Sequence, residues 1–199
     1  MKKFLVILVL CLLTLSTSSF ADNIERLKVE GMQVGDTLLD YFSKSDIETN
    51  TINDPGYTIR YKDEFIVVYF HKHPKFLDYD GVQITLIKND KDLIIHGIDG
   101  VIMYQNAMDK CYNKMEKIDS EFSKNLSKLK LRKIDGGIIK HPADPQGKST
   151  FKQIAYLRSA GTLYGMECTD WADHMPEGYF DNFKFIANSQ VLHRFLSQN

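Results

Sequence analysis

The chain has 199 residues, with 25 basic and 26 acidic side chains and a formal net charge of −1. So even a balance excludes a charge-driven nucleic-acid or anionic-membrane binder. The length suits one domain with a sizeable core better than two.

Residues 1–21 have the layout of a cleavable signal peptide. Lys2 and Lys3 give a basic start, Phe4 to Leu13 an apolar run, and Ser19-Phe20-Ala21 a cleavage site. That run is about half the ~20 residues a membrane-crossing helix needs, so no stable membrane insertion is expected after cleavage. Cys11 follows Leu10 rather than a small residue, so it belongs to the discarded apolar core and is not a lipidation site. The short MKK start resembles bacterial signals, and the expected location is periplasmic or secreted.

Residues 22–199 are expected to form a single α+β domain, since no repeat or long Pro/Gly/Ser linker divides them. Ile24 to Glu30 reads as a short helix or strand ended by Gly31. Asp36 stands where it would cap a short helix carrying Leu38, Leu39, Tyr41 and Phe42. Ser45 or Asp46 starts another turn.

Strand-like runs follow at Tyr57 to Tyr61, Phe65 to His71, Val82 to Lys88 and Leu93 to Tyr104. They are rich in Val, Ile, Tyr and Phe and separated by turn signals, as in an antiparallel meander. Gly97 and Gly100 suggest a bulge or bend in the last run. Met108, Cys111, Tyr112, Met115, Ile118, Phe122, Leu126 and Leu129 then recur at helical spacing, with Asn106 as the expected N-cap.

A polar loop precedes a hairpin of Phe151 to Leu157 and Thr162 to Thr169, turning at Arg158-Ser159-Ala160-Gly161. A strand at Phe183 to Ile186 and a helix at Gln190 to Leu196 close the chain. The expected fold is an antiparallel sheet with one long helix and a C-terminal helix packed on one face.

Only Cys111 and Cys168 lie beyond the signal, and an even count in an oxidising compartment predicts a disulfide stapling helix to sheet. Two reduced, buried cysteines are the alternative, and a redox pair the lesser one, because catalytic dithiols lie close together as C-x-x-C.

His71 and His73 are candidate metal ligands, since residues two apart in a strand share a face; His96, Asp78 or Asp80 would complete the set. A solvated strand end before Pro74 is the simpler reading. Gly147-Lys148-Ser149-Thr150 matches only the tail of a phosphate-binding loop, because Pro142 stands where its first glycine should be. Asp78-Tyr79-Asp80-Gly81 and Asp144-Pro145-Gln146-Gly147 lack the ligand set of a calcium loop and read as turns.

Asp170, Trp171, Asp173 and His174 form a candidate ligand loop, with the alternative that Trp171 folds over the open end of the core. No catalytic residue and no cofactor is assigned, since neither a G-x-S-x-G elbow nor a cysteine with catalytic flanks occurs.

The run Gly31-Met32-Gln33-Val34-Gly35-Asp36-Thr37-Leu38-Leu39-Asp40-Tyr41-Phe42-Ser43 resembles the opening of a family of small secreted bacterial proteins of unknown function. The likeness extends through Cys111-Tyr112 and Gly147-Lys148-Ser149 to Cys168-Thr169-Asp170-Trp171, and it implies no activity. More distantly, the Gly-Met before a short helix resembles outer-membrane assembly lipoproteins of the SmpA/OmlA type, which implies a role at the envelope.

The expectation is an exported binding or envelope-associated module, its partner an envelope protein or peptide, met through the sheet edge or the Trp171 loop. The alternative is a small metal-dependent or hydrolytic periplasmic enzyme using His71, His73 or the loop from Asp170 to His174.

Overall fold

The computed structural model describes residues 28–53, 61, 63–124, 130–158 and 161–198. The signal peptide, Ile24 to Leu27, Tyr57 to Arg60, the helical positions Leu126 and Leu129, and the turn residues Ser159 and Ala160 lie outside them.

Seven strands form one antiparallel sheet, an α+β fold, in the order β1-β2-β3-β7-β6-β5-β4. They are β1 (Phe65–His71), β2 (Gly81–Ile87), β3 (Ile95–Met103), β4 (Leu131–Lys140), β5 (Thr150–Arg158), β6 (Leu163–Asp170) and β7 (Asn182–Asn188). Among the described residues three α-helices with both ends placed accompany them, α1 (Lys44–Thr49), α2 (Met108–Ser123) and α3 (Gln190–Gln198). The sheet is thus two meanders joined where β3 pairs with β7, and α2 carries the chain from β3 to the far edge at β4.

Alternation along the strands separates two faces. Val68, Ile84, Ile98, Ala187, Tyr164 and Tyr156 lie in one cross-strand row. They belong to the main core, where Cys111, Met115 and Phe122 of α2 join them with Met32, Leu38, Phe42 and Ile47 of the N-terminal segment. The next row, Val67, Thr85, Gly97 and Asn188, faces the other way.

On that second face α3 packs, with Leu192 buried beside Phe65 and Val67. The two helices expected on one face therefore take opposite faces of the sheet. Gly97 is the physical reason, because a Cβ built there would meet Leu192 Cδ2 at 2.5 Å. The missing side chain leaves the space α3 fills.

The disulfide joins Cys111 of α2 to Cys168 of β6, with Cα atoms 5.9 Å apart and both residues fully buried. Lys133 of β4 also reaches Asp119 of α2 at 2.6 Å, and the Tyr156 hydroxyl donates to the same carboxylate. These ties fix the helix along its length against three strands.

Three local expectations are corrected. Thr37, not Asp36, caps the 3₁₀ turn Leu38–Asp40, its hydroxyl accepting from the Leu39 N–H at 3.4 Å. Asp36 instead accepts from the Gln33 N–H and the Tyr41 hydroxyl, pinning the loop on which the Gly-Met opening sits. Asn106 is not the cap of α2. It adopts φ of 67° and gives its N–H to Asp181, so Ala107 precedes the helix without a side-chain cap.

The bulge expected in this run is present at His96, beside Gly97, left unpaired where Thr85 meets Gly97 and Leu86 meets Ile95; Gly100 makes room for the Tyr79 ring. Residues Leu131–Lys140, read as part of a polar loop, form edge strand β4. Its charges and Gly136-Gly137 hide the strand pattern, and it packs too little apolar surface to show alternation. The turn at Ser45 or Asp46 is realised as α1, where Ser43 and Asp46 form a reciprocal capping box.

Candidate functional site: an aromatic corner at one end of the sheet

The β1–β2, β3–α2, β4–β5 and β6–β7 connections all emerge at the same end of the antiparallel sheet. Every candidate residue singled out from the sequence except His96 lies at this end. They do not converge, however. Three strands separate β1 from β6, so the loop after His71 and the loop after Asp170 stand about 19 Å apart at ~4.8 Å per strand.

The histidine pair divides at Lys72, whose φ of 47° turns the chain out of the strand. His71 stays exposed beside Tyr69 on the α3 face. His73 packs edge-on against Phe42 and Phe70 and tilted against Phe76 at the main core, with Nδ1 accepting from the Lys75 N–H. Of the proposed co-ligands, Asp80 Oδ2 accepts from the Met103 N–H, and Asp78 lies in a loop held by the Glu30 carboxylate. His96 sits at the far end, bonded to Ser189 Oγ. Among the described residues no three His, Cys, Asp or Glu side chains come together to hold a metal ion.

Asp144 organises the β4–β5 loop. Its Oδ1 accepts from the Gln146 N–H at 2.8 Å, and its Oδ2 from the Lys148 and Ser149 N–H groups at 2.8 and 2.7 Å. Gly147 supplies the left-handed turn with φ of 62°, so this segment is the turn its composition suggests. The amides that a phosphate would need are spent on Asp144, and the carboxylate a calcium ion would need is spent on amides.

His174 Nε2 lies 2.9 Å from Asp144 Oδ1, and Ser149 Oγ accepts from the Ala172 N–H at 3.1 Å. Burial alone pushes the Asp144 carboxyl up. Contacts from the Ser149 amide and hydroxyl, His174 and the Gln146 amide outweigh it and hold the group well below the usual carboxylate range.

This trio does not activate a nucleophile. Ser149 is fully buried, and the carboxylate, not the imidazole, stands between the hydroxyl and the ring. Base catalysis on serine needs the imidazole in the middle.

The two loops so clamped display a run of rings. Phe151 of β5 meets His141 at 5.4 Å between centroids, His141 meets Trp171 at 4.0 Å, and Trp171 meets Tyr179 edge-on at 4.7 Å. Trp171 is half-buried, whereas Tyr179 and Phe180 remain 44% exposed. A second clamp fixes the base of this corner. Asp181 Oδ1 accepts from the Trp171 N–H at 2.8 Å and Oδ2 from the Asn106 N–H at 3.1 Å.

Asp170 faces α2, and burial, then the nearby Asp181 charge, pushes its carboxyl up. Asp173 is exposed at the loop tip.

Sequence reading placed Trp171 and its neighbours together but missed His141, Phe151, Tyr179 and Phe180. The signal was present in part, since aromatic residues occur in both flanking loops. Only the pairing of β5 with β6 shows that they adjoin.

No protein-family model, curated protein or solved structure matches this chain. The corner is therefore read from its own chemistry. Its rings give apolar area with polar tips, and its backbone is held in place by the Asp144 and Asp181 carboxylates. Such a surface suits recognition, in which rigid aromatics bind at small entropic cost.

Among the described residues no helix is long and apolar enough to cross a membrane.

Proposed function

We propose that this protein is exported and acts outside the cytoplasm as a non-catalytic binding module, taking an envelope protein or peptide at the corner formed by Trp171, Tyr179 and Phe180. The observation that carries this reading is the ring run from Phe151 through His141 and Trp171 to Tyr179, which ends in exposed aromatics instead of closing into the core. Exposed aromatic clusters on a fixed backbone are the usual anchors of protein interfaces. The Cys111–Cys168 bridge supports maturation in an oxidising compartment, where disulfides persist.

The enzyme alternative has less to stand on. His71 and His73 face apart, the Asp144 carboxylate is saturated by amides, and Ser149 has no access to a substrate.

The test is affinity purification of the tagged protein from the envelope fraction, beside a Tyr179→Ala/Phe180→Ala variant of equal disulfide content and stability. The reading expects a partner retained by the parent chain and lost from the variant. Identical partners for both would refute it.

A further inference from the structure

The sheet has two edges, and the chain treats them differently. Outside β1, residues 50–52 run antiparallel as a short cover, with the Ile52 N–H bonded to Val67 O at 2.8 Å and the Tyr69 N–H to Asn50 O at 2.9 Å. Outside β4 no described strand pairs, and residues 134–140 are all exposed.

An open edge of this length presents a row of unmet N–H and C=O groups. On it Ile134, Ile138 and Ile139 stand 41%, 60% and 50% exposed. Exposed isoleucines on an uncovered edge are costly to keep unless something covers them.

We infer that β4 is the docking edge of the proposed binding module, and that its occupant is an extended polypeptide segment in which acidic and apolar residues alternate, added as an eighth strand. This rests on the aromatic corner being a recognition surface and names the kind of partner that reaches it.

Charge supports this choice of occupant. With Lys133 taken by Asp119 of α2, the edge still carries Arg132 and Lys140 against Asp135 alone, and Asp135 turns back to accept from the Gly137 N–H at 2.9 Å. A strand with acidic side chains complements that row, as opposite charges on facing positions stabilise a strand pair.

A second copy of this chain fits poorly. Its own edge brings Arg132 and Lys140 with Asp135 alone, and so supplies no row of acidic side chains to face the same residues here.

Continuity supplies the second argument. Ile139 is the cross-strand neighbour of Phe151, the first ring of the corner, and His141 follows β4 directly. A strand laid along β4 toward Lys140 therefore runs into the His141 and Trp171 rings.

The bulge between Asp135 and Ile138, with Gly137 at φ of 63°, breaks the edge into two short stretches. It restrains indiscriminate strand pairing while leaving Ile134, Ile138 and Ile139 exposed.

The test uses residues 22–199 with the disulfide intact, ¹⁵N-labelled, and a capped nine-residue peptide of alternating valine and glutamate. Amide shifts should concentrate at Ile134, Asp135, Ile138 and Ile139. Affinity should fall at least tenfold for the valine/lysine peptide, for a valine/glutamate peptide N-methylated at every second residue, and for Ile134→Asp/Ile139→Asp protein of unchanged circular dichroism.

The inference is overturned if the β4 amides do not shift, if the lysine or N-methylated peptide binds as well, or if sedimentation shows the free protein pairing through β4. Trp171 emission separates the two readings. A response at Trp171 without one at β4 removes the edge and spares the corner, and silence at both removes the two together.

Discussion

His174 Nε2 lies 2.9 Å from Asp144 Oδ1 and so ties together two loops that are 30 residues apart in sequence. The contact closes the β6–β7 loop onto the β4–β5 loop, and the ring run spans the same gap. Order at the corner therefore depends on a carboxylate that bonds His174 and two backbone turns, outside the run of rings itself.

Replacing Asp144 by Ala should loosen both loops without unfolding the sheet. Trp171, the single tryptophan, would report it as a red-shifted emission while far-ultraviolet circular dichroism stays unchanged. Acid should do the same to the parent protein. The folded carboxyl titrates below its unfolded value of about 3.9, so the lock is complete above that pH and is lost as pH falls through the folded value. An emission spectrum in Asp144→Ala identical to the parent's would refute this role.

Removing the bridge with Cys111→Ala/Cys168→Ala should cost about 4 kcal/mol from the unfolded-state entropy of a loop whose ends lie 57 residues apart in sequence. Urea unfolding of the double variant against the oxidised parent measures it. Mass analysis without reductant should also find the parent two hydrogens lighter than its reduced form.

Asp119 bonds Lys133 and Tyr156 and so joins α2 to β4 and β5. Burial pushes its carboxyl up, but the Lys133 ammonium and the Tyr156 and Ser123 hydroxyls prevail and hold it below the ordinary range. Asp119→Ala should destabilise by roughly 1–3 kcal/mol, as expected when partners are left unpaired. The difference should shrink as pH falls through the folded pKa, because the parent loses the same charge there. Urea midpoints across that range check both statements.

Gly100→Ala tests the packing of Tyr79, whose ring atoms a Cβ would meet at 2.5 to 2.7 Å. Burial first, then the Asp78 and Glu30 charges, pushes this phenol up to about 12. A lifted ring should titrate nearer the ordinary 10, with a stability loss of about 1–3 kcal/mol from overpacking. Tyrosine ¹³C shifts against pH separate it from the other phenols.

What the sequence made legible follows from burial. Strands β1, β2, β3, β5, β6 and β7 bury side chains on both faces, so their runs of Val, Ile, Tyr and Phe between turn signals announced them; α2 showed its stripe through Cys111, Met115 and Phe122. The disulfide followed from arithmetic on Cys111 and Cys168. Strand β4 stayed hidden because an edge strand is selected for solubility and so looks like a loop.

The histidine pair misled for a different reason. One left-handed residue, Lys72, sends His73 to the face opposite His71, and no spacing rule sees a positive φ at a lysine. Likewise Asp144 reads as a turn residue in sequence, and only the fold supplies His174 as its partner. The corner's rings come from β5 and from the β4–β5 and β6–β7 loops, and strand pairing alone assembles them.

The binding claim is tested most directly by placing photoreactive benzoyl-phenylalanine at position 180 or 77 and irradiating cells that export the protein. Phe180 lies at the corner, whereas Leu77, 89% exposed, stands in the β1–β2 loop at the same end of the sheet. The account predicts a discrete polypeptide adduct from position 180 and none from position 77. Adducts of equal yield from both positions, or none from position 180, would contradict it.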